Sequence, residues 1–364
     1  GRNTETANLQ VPIPRPPPAP PLNATLRDDT STYETSAYAV YGEVSLNLMG
    51  GRLKPLVGVR WFSDDRDFLN VDRTPPFPGA PPPASPRVSR ASDTFTQTSP
   101  RFNLSYDLSD TAMLYANVAK GFRSGTFNTN AGIAAAASIG ITVGQAVDPD
   151  SLWSYELGSK LEWAEGRLLT ELAVYRFDWK SQQLNFDAGT TRTQVIVNAG
   201  DTVGQGVEYA LTWRALDGLT LAATGNFNST EFDEIYDPRL FRATPNIAEG
   251  RQVASVPKQT HTIAGTYTRP LGWLASSLFV NVDYTYVARQ GDPGDSGSPP
   301  ATPGGRFGTS HDLLKARLGL QTEHWSAYLF GDNLLDSSGA IQVSGSGQTR
   351  HYPRIVGVEL RVDF

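Results

Sequence analysis

Apolar and polar residues alternate along most of this sequence with a period of two. In the last segment Val356, Val358 and Leu360 occupy one face, and Glu359 and Arg361 occupy the other. This period is typical of β-strands whose two faces meet different surroundings, whereas the helical period is almost absent. No stretch approaches the roughly 18 uncharged apolar residues that a membrane-spanning helix needs. The pattern therefore predicts an all-β, antiparallel fold and excludes a helical membrane protein.

The connections between the predicted strands are alternately short and long. Short turns are predicted at 49–52, 107–110, 164–166, 215–218, 270–272 and 322–324, and long polar or Pro/Gly-rich loops at about 70–92, 123–150, 234–256, 290–309 and 335–351. One shorter loop, at about 185–190, interrupts the series of long ones. Short periplasmic turns and long external loops are the arrangement of transmembrane β-barrels, and a soluble sandwich has no reason to keep it.

The alternation predicts about thirteen strands. They cover roughly 36–48, 53–68, 93–107, 111–122, 151–163, 167–184, 191–215, 218–233, 257–270, 273–290, 309–322, 325–334 and 352–364. Many are longer than the about 9–11 residues that cross a bilayer, so we expect the sheet to project beyond the membrane on its long-loop side. Aromatic residues such as Trp153 and Trp163 stand at strand ends, as in the girdles of membrane barrels. In 167–184 Glu171 shares a face with Tyr175 and Phe177, which predicts a bulge or a shifted register.

The composition excludes several classes of function. The net charge is -6, and Lys and Arg are scattered among acidic residues, so we expect no nucleic-acid partner. There are no cysteines, which excludes disulfides, thiolate metal sites and cysteine nucleophiles. The four histidines are dispersed, with no metal-binding spacing. We therefore expect no enzyme, no cofactor and no metal centre.

Several strings resemble TonB-dependent outer-membrane receptors and occur in the order of the second half of that family's barrel. They are MLYANVAKGFRSGTFN (113–128), SYELGSKLEW (154–163), VGQGVEYAL (203–211), LKARLGL (314–320), FGDNLLD (330–336) and YPRIVGVELRVDF (352–364). The resemblance covers essentially everything from Tyr33 to Phe364. It implies the C-terminal part of a barrel of about 22 strands with a plugged lumen. We therefore divide the chain into an external Pro-rich loop segment at 1–35 and the C-terminal portion of the barrel domain at 36–364.

The resemblance also implies a function, a location and partners. Such receptors in the Gram-negative outer membrane bind a scarce nutrient, most often a ferric siderophore, and import it with energy passed through TonB. The expected partners are outer-membrane lipid, a small-molecule metal chelate, the TonB complex and the barrel-assembly machinery, which would read the terminal aromatic Phe364. About nine strands, the plug and the TonB box are absent from this sequence, which has no initiator methionine and no signal peptide. We therefore expect a fragment or a mature product.

The candidate substrate-binding residues lie on the external side. One group follows a strand into a long loop, and a second group lies in the loop at 234–256. The first comprises Lys120, Phe122, Arg123, Phe127 and Asn128, and the second Tyr236, Arg239, Phe241 and Arg242. Guanidinium and aromatic groups at a water-filled mouth suit an anionic, aromatic iron chelate. In the structural alternative, Phe122 and Phe127 belong to the outer girdle and Arg123 pairs with a carboxylate of a neighbouring strand.

Charged residues on the polar face should line the lumen. They are Glu43, Arg101, Glu156, Lys160, Glu208, Asp283, Lys315, Arg317, Glu359 and Arg361. Cross-strand ion pairs among them would stiffen the wall, and in an intact receptor they would also face the plug.

Two other classes of protein remain open on the sequence. The first is a passive or structural outer-membrane barrel similar to a porin. The second is a soluble all-β binding module, which would need its aromatic residues in a core or groove. Dependence on detergent separates the second class from both membrane readings.

Overall fold

In the computed structural model the chain is built almost entirely of antiparallel β-strands. The structure describes residues 2–12, 25–74, 83–188, 193–240, 248–253, 256–273, 275–290, 309–344 and 347–362. The strands are β1 (Arg2–Pro12), β2 (Thr25–Ser45), β3 (Leu53–Asp72), β4 (Arg87–Ser109), β5 (Ala112–Arg123), β6 (Thr126–Phe127), β7 (Ala146–Val147), β8 (Asp150–Trp163), β9 (Leu168–Ala188), β10 (Thr193–Leu216), β11 (Leu219–Ile235), β12 (Gln259–Pro270), β13 (Ser277–Val287), β14 (His311–Gln321), β15 (Trp325–Asp332), β16 (Ala340–Ser344), β17 (Gly347–Arg350) and β18 (Ile355–Val362). One helix, α1, covers Asn130–Ser138, and no described helix has the length and hydropathy to cross a bilayer.

Fourteen strands form one sheet in which each strand pairs with the next along the chain. The order is β1-β2-β3-β4-β5-β8-β9-β10-β11-β12-β13-β14-β15-β18. Within the described residues β1 and β18 are the two edges, and no pairing closes the sheet on itself. The predicted fold class, a partial antiparallel barrel, is confirmed. The small hairpins β6–β7 and β16–β17 lie in the long connections.

The two faces of the sheet follow the predicted alternation. Val40 and Val358 are exposed on the outer face, 68% and 69% respectively, as lipid-facing side chains are in the absence of lipid. On the opposite face, Glu43 lies level with Gly58, the register partner of Arg101. The residues predicted for the lumen therefore share one side of the sheet.

One main strand was not predicted. Arg2–Pro12 pairs with the first half of β2, from Arg2 opposite Ser36 to Pro12 opposite Thr25. The prediction of a loop over 1–35 is therefore wrong for 2–12 and 25–35, whereas most of the proline run at 11–22 lies outside the described residues. The segment 25–35 is polar except for Leu26 and Tyr33, and 2–12 alternates only over the short stretch of Ala7, Leu9 and Val11. Because a sheet that stands in water has no apolar face, its strands lose the alternation by which they are recognised.

The predicted irregularity in 167–184 is resolved differently. The pairing of β8 with β9 is unbroken from Trp163 opposite Leu168 to Ser151 opposite Lys180. Glu171, Tyr175 and Phe177 therefore do share the lumen face. The register of β9 shifts only higher up, where it meets β10 around Gly200. The aromatic rings face inward because they lie over glycines of β10, which leave room for them.

Candidate functional site

A cleft opens at the long-loop end of the sheet, where β5 ends and β8 begins. Its volume is about 560 Å³, and its lining residues are Arg66, Arg123, Ser124, Thr126, Gln183, Leu184, Asn185 and Ile196. Strands β3, β9 and β10 reach this height because they have 20, 21 and 24 residues, about twice the length needed to cross a bilayer. The cleft is therefore built on strand extensions rather than on loops alone.

Arg123, the last residue of β5, is held by the first residue of β8. Its Nε donates to the two carboxylate oxygens of Asp150 at 3.1 and 3.0 Å, and its Nη2 also donates to that carboxylate. Asp150 is 1% exposed, and the guanidinium lies 4.8 Å from the centre of the Trp179 ring. A fourth bond runs from Nη2 to the carbonyl oxygen of Gln183 at 2.9 Å. The alternative in which Arg123 pairs with a carboxylate of a neighbouring strand is therefore what the structure contains.

Arg66 on β3 is fixed in a similar way. Its Nε donates to Asp64 at 2.6 Å and its Nη1 to the carbonyl oxygen of Gly125 at 2.8 Å. Ser124 donates to the same carboxylate at 2.7 Å, which joins the loop after β5 to β3. Within the described residues Arg66 Nη2 and Arg123 Nη1 make no hydrogen bond, so each oriented fork keeps a donor for an anion in the cleft.

Two of the predicted site residues lie just below this cleft on β5. Lys120 is opposite Trp153 of β8 and is partly buried. Phe122 contacts Phe62 of β3, with ring centres 5.2 Å apart. Neither residue lines the cleft, so a direct role in binding stays a prediction for both.

Phe127 and Asn128 are buried inside the external loop. Phe127 is 3% exposed and packs between Phe68 and Phe95, so it belongs to a small core rather than to an outer girdle. Asn128 is 3% exposed, its Nδ2 donates to the carbonyl oxygen of Ile196 at 2.8 Å, and its Oδ1 accepts from the Ile196 N–H at 2.9 Å. These contacts dock the loop on β10, and they account for both residues without a ligand.

The second predicted group is only partly described. Arg239 forms a forked ion pair with Asp237, at 2.7 Å between Nη2 and Oδ2. Tyr236 donates to Asp201 at 2.7 Å. Burial by itself would raise the pKa of Asp201, but hydrogen bonds from Lys180, Tyr236 and the Ser181 N–H hold it below its usual range. Phe241, Arg242 and Phe364 lie outside the described residues.

Residues that the sequence did not single out also line the cleft or hold Arg123 in place. Arg66 and Gln183 line the cleft, Asp150 and Trp179 contact Arg123, and strand pairing brings these residues of β3, β8 and β9 together. The Nε1 of Trp179 is buried and has no hydrogen-bond partner among the described residues. No local spacing marks such residues, so a sequence motif could not have found them.

The sequence profile described as TonB dependent receptor-like, beta-barrel matches residues 2–334. The chain belongs to this family. It is 27% identical to the metal-pseudopaline receptor CntO of Pseudomonas aeruginosa over 77% of this chain and 34% of that protein. It is 28% identical to the pesticin receptor of Yersinia pestis over 71% of this chain and 35% of that protein. The chain thus spans about a third of the length of these curated relatives.

Solved structures of receptors share the fold. The ferric yersiniabactin uptake receptor FyuA of Yersinia pestis superposes with a TM-score of 0.75 at 19% identity, over 100% of this chain and 50% of that one. The ferric-catecholate import receptor Fiu of E. coli gives 0.69 at 16% identity, over 99% of this chain and 50% of that one. This chain, as part of a TonB-dependent receptor barrel, is therefore located in the outer membrane.

The lumen face of the 14-stranded sheet, which forms the wall of the barrel, carries the expected cross-strand ion pairs. Arg317 and Glu359 are 3.0 Å apart, and Arg101 and Glu43 are 3.7 Å apart across Gly58. Two further pairs use partners that were not predicted, Lys160 with Glu171 at 3.2 Å and Lys315 with Asp332 at 3.7 Å. All these side chains are about half exposed, so each pair contributes at most about 1 kcal/mol. Docking of a plug against them stays a prediction.

Proposed function

We propose that this chain forms about half of the wall of a TonB-energised importer whose external cleft binds an anionic metal chelate, with a ferric siderophore as the leading substrate. The observation that supports this proposal is the pair of oriented arginines in the cleft, Arg66 and Arg123. Each is held by a carboxylate that is at most 1% exposed. Because these guanidinium groups are already held in place, little conformational entropy is lost when an anion binds, which lowers the free-energy cost of binding.

The chemistry of the cleft fits a chelate with several oxygen atoms. Guanidinium groups bind carboxylate, catecholate or phenolate oxygens with charge-assisted hydrogen bonds. Trp179 lies against Arg123 and helps to orient it, and Gln183 spans the loop by donating to the carbonyl oxygens of Ser124 and Asp148. The site resembles in kind the small sets of convergent polar groups that orient ligands in binding clefts.

The relatives support a metal chelate as cargo. The names of two relatives specify metal-pseudopaline and ferric-pyoverdine, and the superposed structures include receptors for ferric yersiniabactin and ferric catecholates. Energy transfer through TonB is typical of the family, and we assign contact with TonB to a part of the receptor outside this sequence. Phe364 remains our candidate for the signal read by the barrel-assembly machinery.

The test uses the natural full-length protein in its own outer membrane, with ⁵⁵Fe-labelled chelates of the catecholate, hydroxamate, phenolate and carboxylate classes. We expect saturable binding of one class, and uptake that stops when TonB is deleted while binding persists. Uptake that is not saturable and does not depend on TonB would instead indicate a passive, porin-like barrel.

The role of the cleft is tested by replacing Arg123 with Ala. Because one charge-assisted hydrogen bond contributes about 1.5–3 kcal/mol, we expect the affinity for the chelate to fall by about tenfold or more. Since this change also leaves Asp150 buried without its partner, Arg123→Ala is combined with Asp150→Asn, which should restore folding but not binding. Arg176→Ala is the matched control, because Arg176 also pairs with an aspartate of its own sheet, at 2.9 Å, but does not line the cleft. Unchanged affinity in the double variant would exclude Arg123 from the binding site.

A further inference from the structure

Two histidines from distant parts of the chain meet at the external end of the wall. His311 is the first residue of β14, and His351 lies in the connection between β17 and β18. Their ring centres are 4.4 Å apart with an interplanar angle of 57°. His311 has the strand parity of Lys315 and Arg317, so it belongs to the lumen side of the wall. The pair is separate from the arginine cleft, whose lining residues come from β3, β5, the β5–β8 connection, β9 and β10.

At least one nitrogen atom of this pair lacks the hydrogen bond that a buried polar atom normally makes. His311 is 6% exposed, and the Nε2 of His351 is buried with no hydrogen-bond partner in the described structure. A buried polar atom without a partner costs free energy, and a bound ion is one of the few arrangements that repays this cost.

The second nitrogen of His311 has the neighbour expected of a metal ligand. Its Nδ1 lies 3.4 Å from the carbonyl oxygen of Thr309, the direction in which a ligating histidine donates its remaining N–H. With the proton on Nδ1, the lone pair of His311 is on Nε2. In this tautomer the Nε2 of His311 has a lone pair available for an ion, as the unpartnered Nε2 of His351 has when its proton is on Nδ1.

Contacts other than the imidazoles hold the two segments in place. The N–H of Thr309 donates to the carbonyl oxygen of Ala340 at 2.9 Å. Asn333 donates to the carbonyl oxygens of Tyr352 at 2.8 Å and Ser337 at 3.1 Å. The histidines are thus brought together by hydrogen bonds of other residues, as a preorganised ligand set requires.

We propose that His311 and His351 form a two-histidine site for a borderline divalent cation, Cu²⁺, Ni²⁺ or Zn²⁺, which links the last external connection to β14. Imidazole nitrogen selects these ions over Ca²⁺ and Mg²⁺, which prefer oxygen. No group of three or more histidine and carboxylate ligands occurs among the described residues, so water or oxygen atoms of a bound molecule complete the coordination.

The test is titration of the natural full-length receptor in detergent with Cu²⁺, followed by electron paramagnetic resonance. We expect one equivalent to bind with the nitrogen couplings of two imidazoles. This chain contributes four histidines and no cysteine to that receptor, and replacing them singly shows which of them bind the ion. A spectrum of the unmodified protein without imidazole coupling would overturn the proposal, whatever the variants do.

Single replacements locate the site. His311→Gln and His351→Gln should each weaken Cu²⁺ binding by at least tenfold and reduce the imidazole couplings from two to one. The control is His324→Gln, because His324 lies in the short turn between β14 and β15 at the opposite end of the wall. Heat-modifiable migration in gels verifies that each variant is folded. A loss of binding in the control, or its retention in both site variants, would contradict the assignment. Because aqueous Cu²⁺ is the probe and no chelate is used, this outcome is independent of the proposed import.

Discussion

At the scale of residues, glycines decide where aromatic rings can lie on the lumen wall. Tyr175 and Phe177 of β9 pair in register with Gly206 and Gly204 of β10, and a Cβ on either glycine would overlap the ring. Glycine in a strand interior normally weakens the strand, so its presence here indicates a close approach. This explains why aromatic residues share the polar face with Glu171, a pattern that the sequence suggested only as an irregularity.

Gly206→Ala should therefore impair the barrel, whereas Gly42→Ala should not. A Cβ on Gly206 would lie 2.6 Å from Tyr175 Oη and would also overlap the carbonyl oxygen of Phe227, but a Cβ on Gly42 meets nothing within 4 Å. Because overpacking costs about 1–3 kcal/mol, we expect less folded Gly206→Ala protein in the outer membrane. The measurement is the heat-modifiable fraction in isolated membranes at equal expression. Equal fractions for the two variants would show that the neighbours of Gly206 yield freely.

At the scale of elements, the long connection after β5 is an ordered, docked unit. Helix α1 begins after Thr129, whose side chain accepts a hydrogen bond from the Gly132 N–H. Ala136 of the helix and Ile141 after it pack with Val195 and Phe186 in a small apolar core on β9 and β10. The sequence predicted a loop over 123–150 because α1 is short and alanine-rich, with no polar face to give a helical period.

Asn128 makes two of the hydrogen bonds that join this unit to the sheet, both with Ile196 of β10, so Asn128→Ala should loosen the unit. The change leaves the N–H and carbonyl oxygen of Ile196 and the carbonyl oxygen of Gly144 without their side-chain partner. We expect a cost of about 1–3 kcal/mol, confined to the docked unit. Hydrogen exchange should then speed up in 128–147 and remain unchanged in β13 and β14.

Ser138→Ala is the control for this prediction. Ser138 is exposed and bonds only to the carbonyl oxygen of Ala135 within its own helix, at 2.7 Å. Exchange in this variant should match the parent, because exposed substitutions of this kind stay within about 0.5 kcal/mol. Equal exchange in Asn128→Ala would mean that the apolar core and the remaining hydrogen bonds, such as those of Asn130 and Gln145 with β4, hold the unit in place without Asn128.

At the scale of the whole molecule, the parts that meet lipid were predictable and the parts that stand in water were not. Between the periplasmic turns and the outer interface, every strand has one face toward hydrocarbon, and this requirement writes the alternation into the sequence. Above the interface both faces are hydrated, so β1 and the upper halves of β3 and β4 carry only short stretches of this pattern. The cleft lies in this upper region. Arg123 was identified because it belongs to a short segment rich in basic and aromatic residues, whereas no sequence pattern marks Arg66 or Asp150.

Because the two faces of the sheet meet different surroundings, neighbouring residues on opposite faces should differ in their contact with lipid even where both side chains are exposed. Val40 and Tyr41 of β2 are 68% and 80% exposed and point to opposite sides of the sheet. The chain has no cysteine, so Val40→Cys and Tyr41→Cys can each be labelled at one site with a small fluorophore. In bilayers that contain nitroxide lipids, we expect strong quenching at position 40 and little at position 41, because only the outer face meets hydrocarbon. Equal quenching at both positions would mean that β2 is not part of a membrane-spanning wall, and absence of quenching at both would restore the soluble alternative.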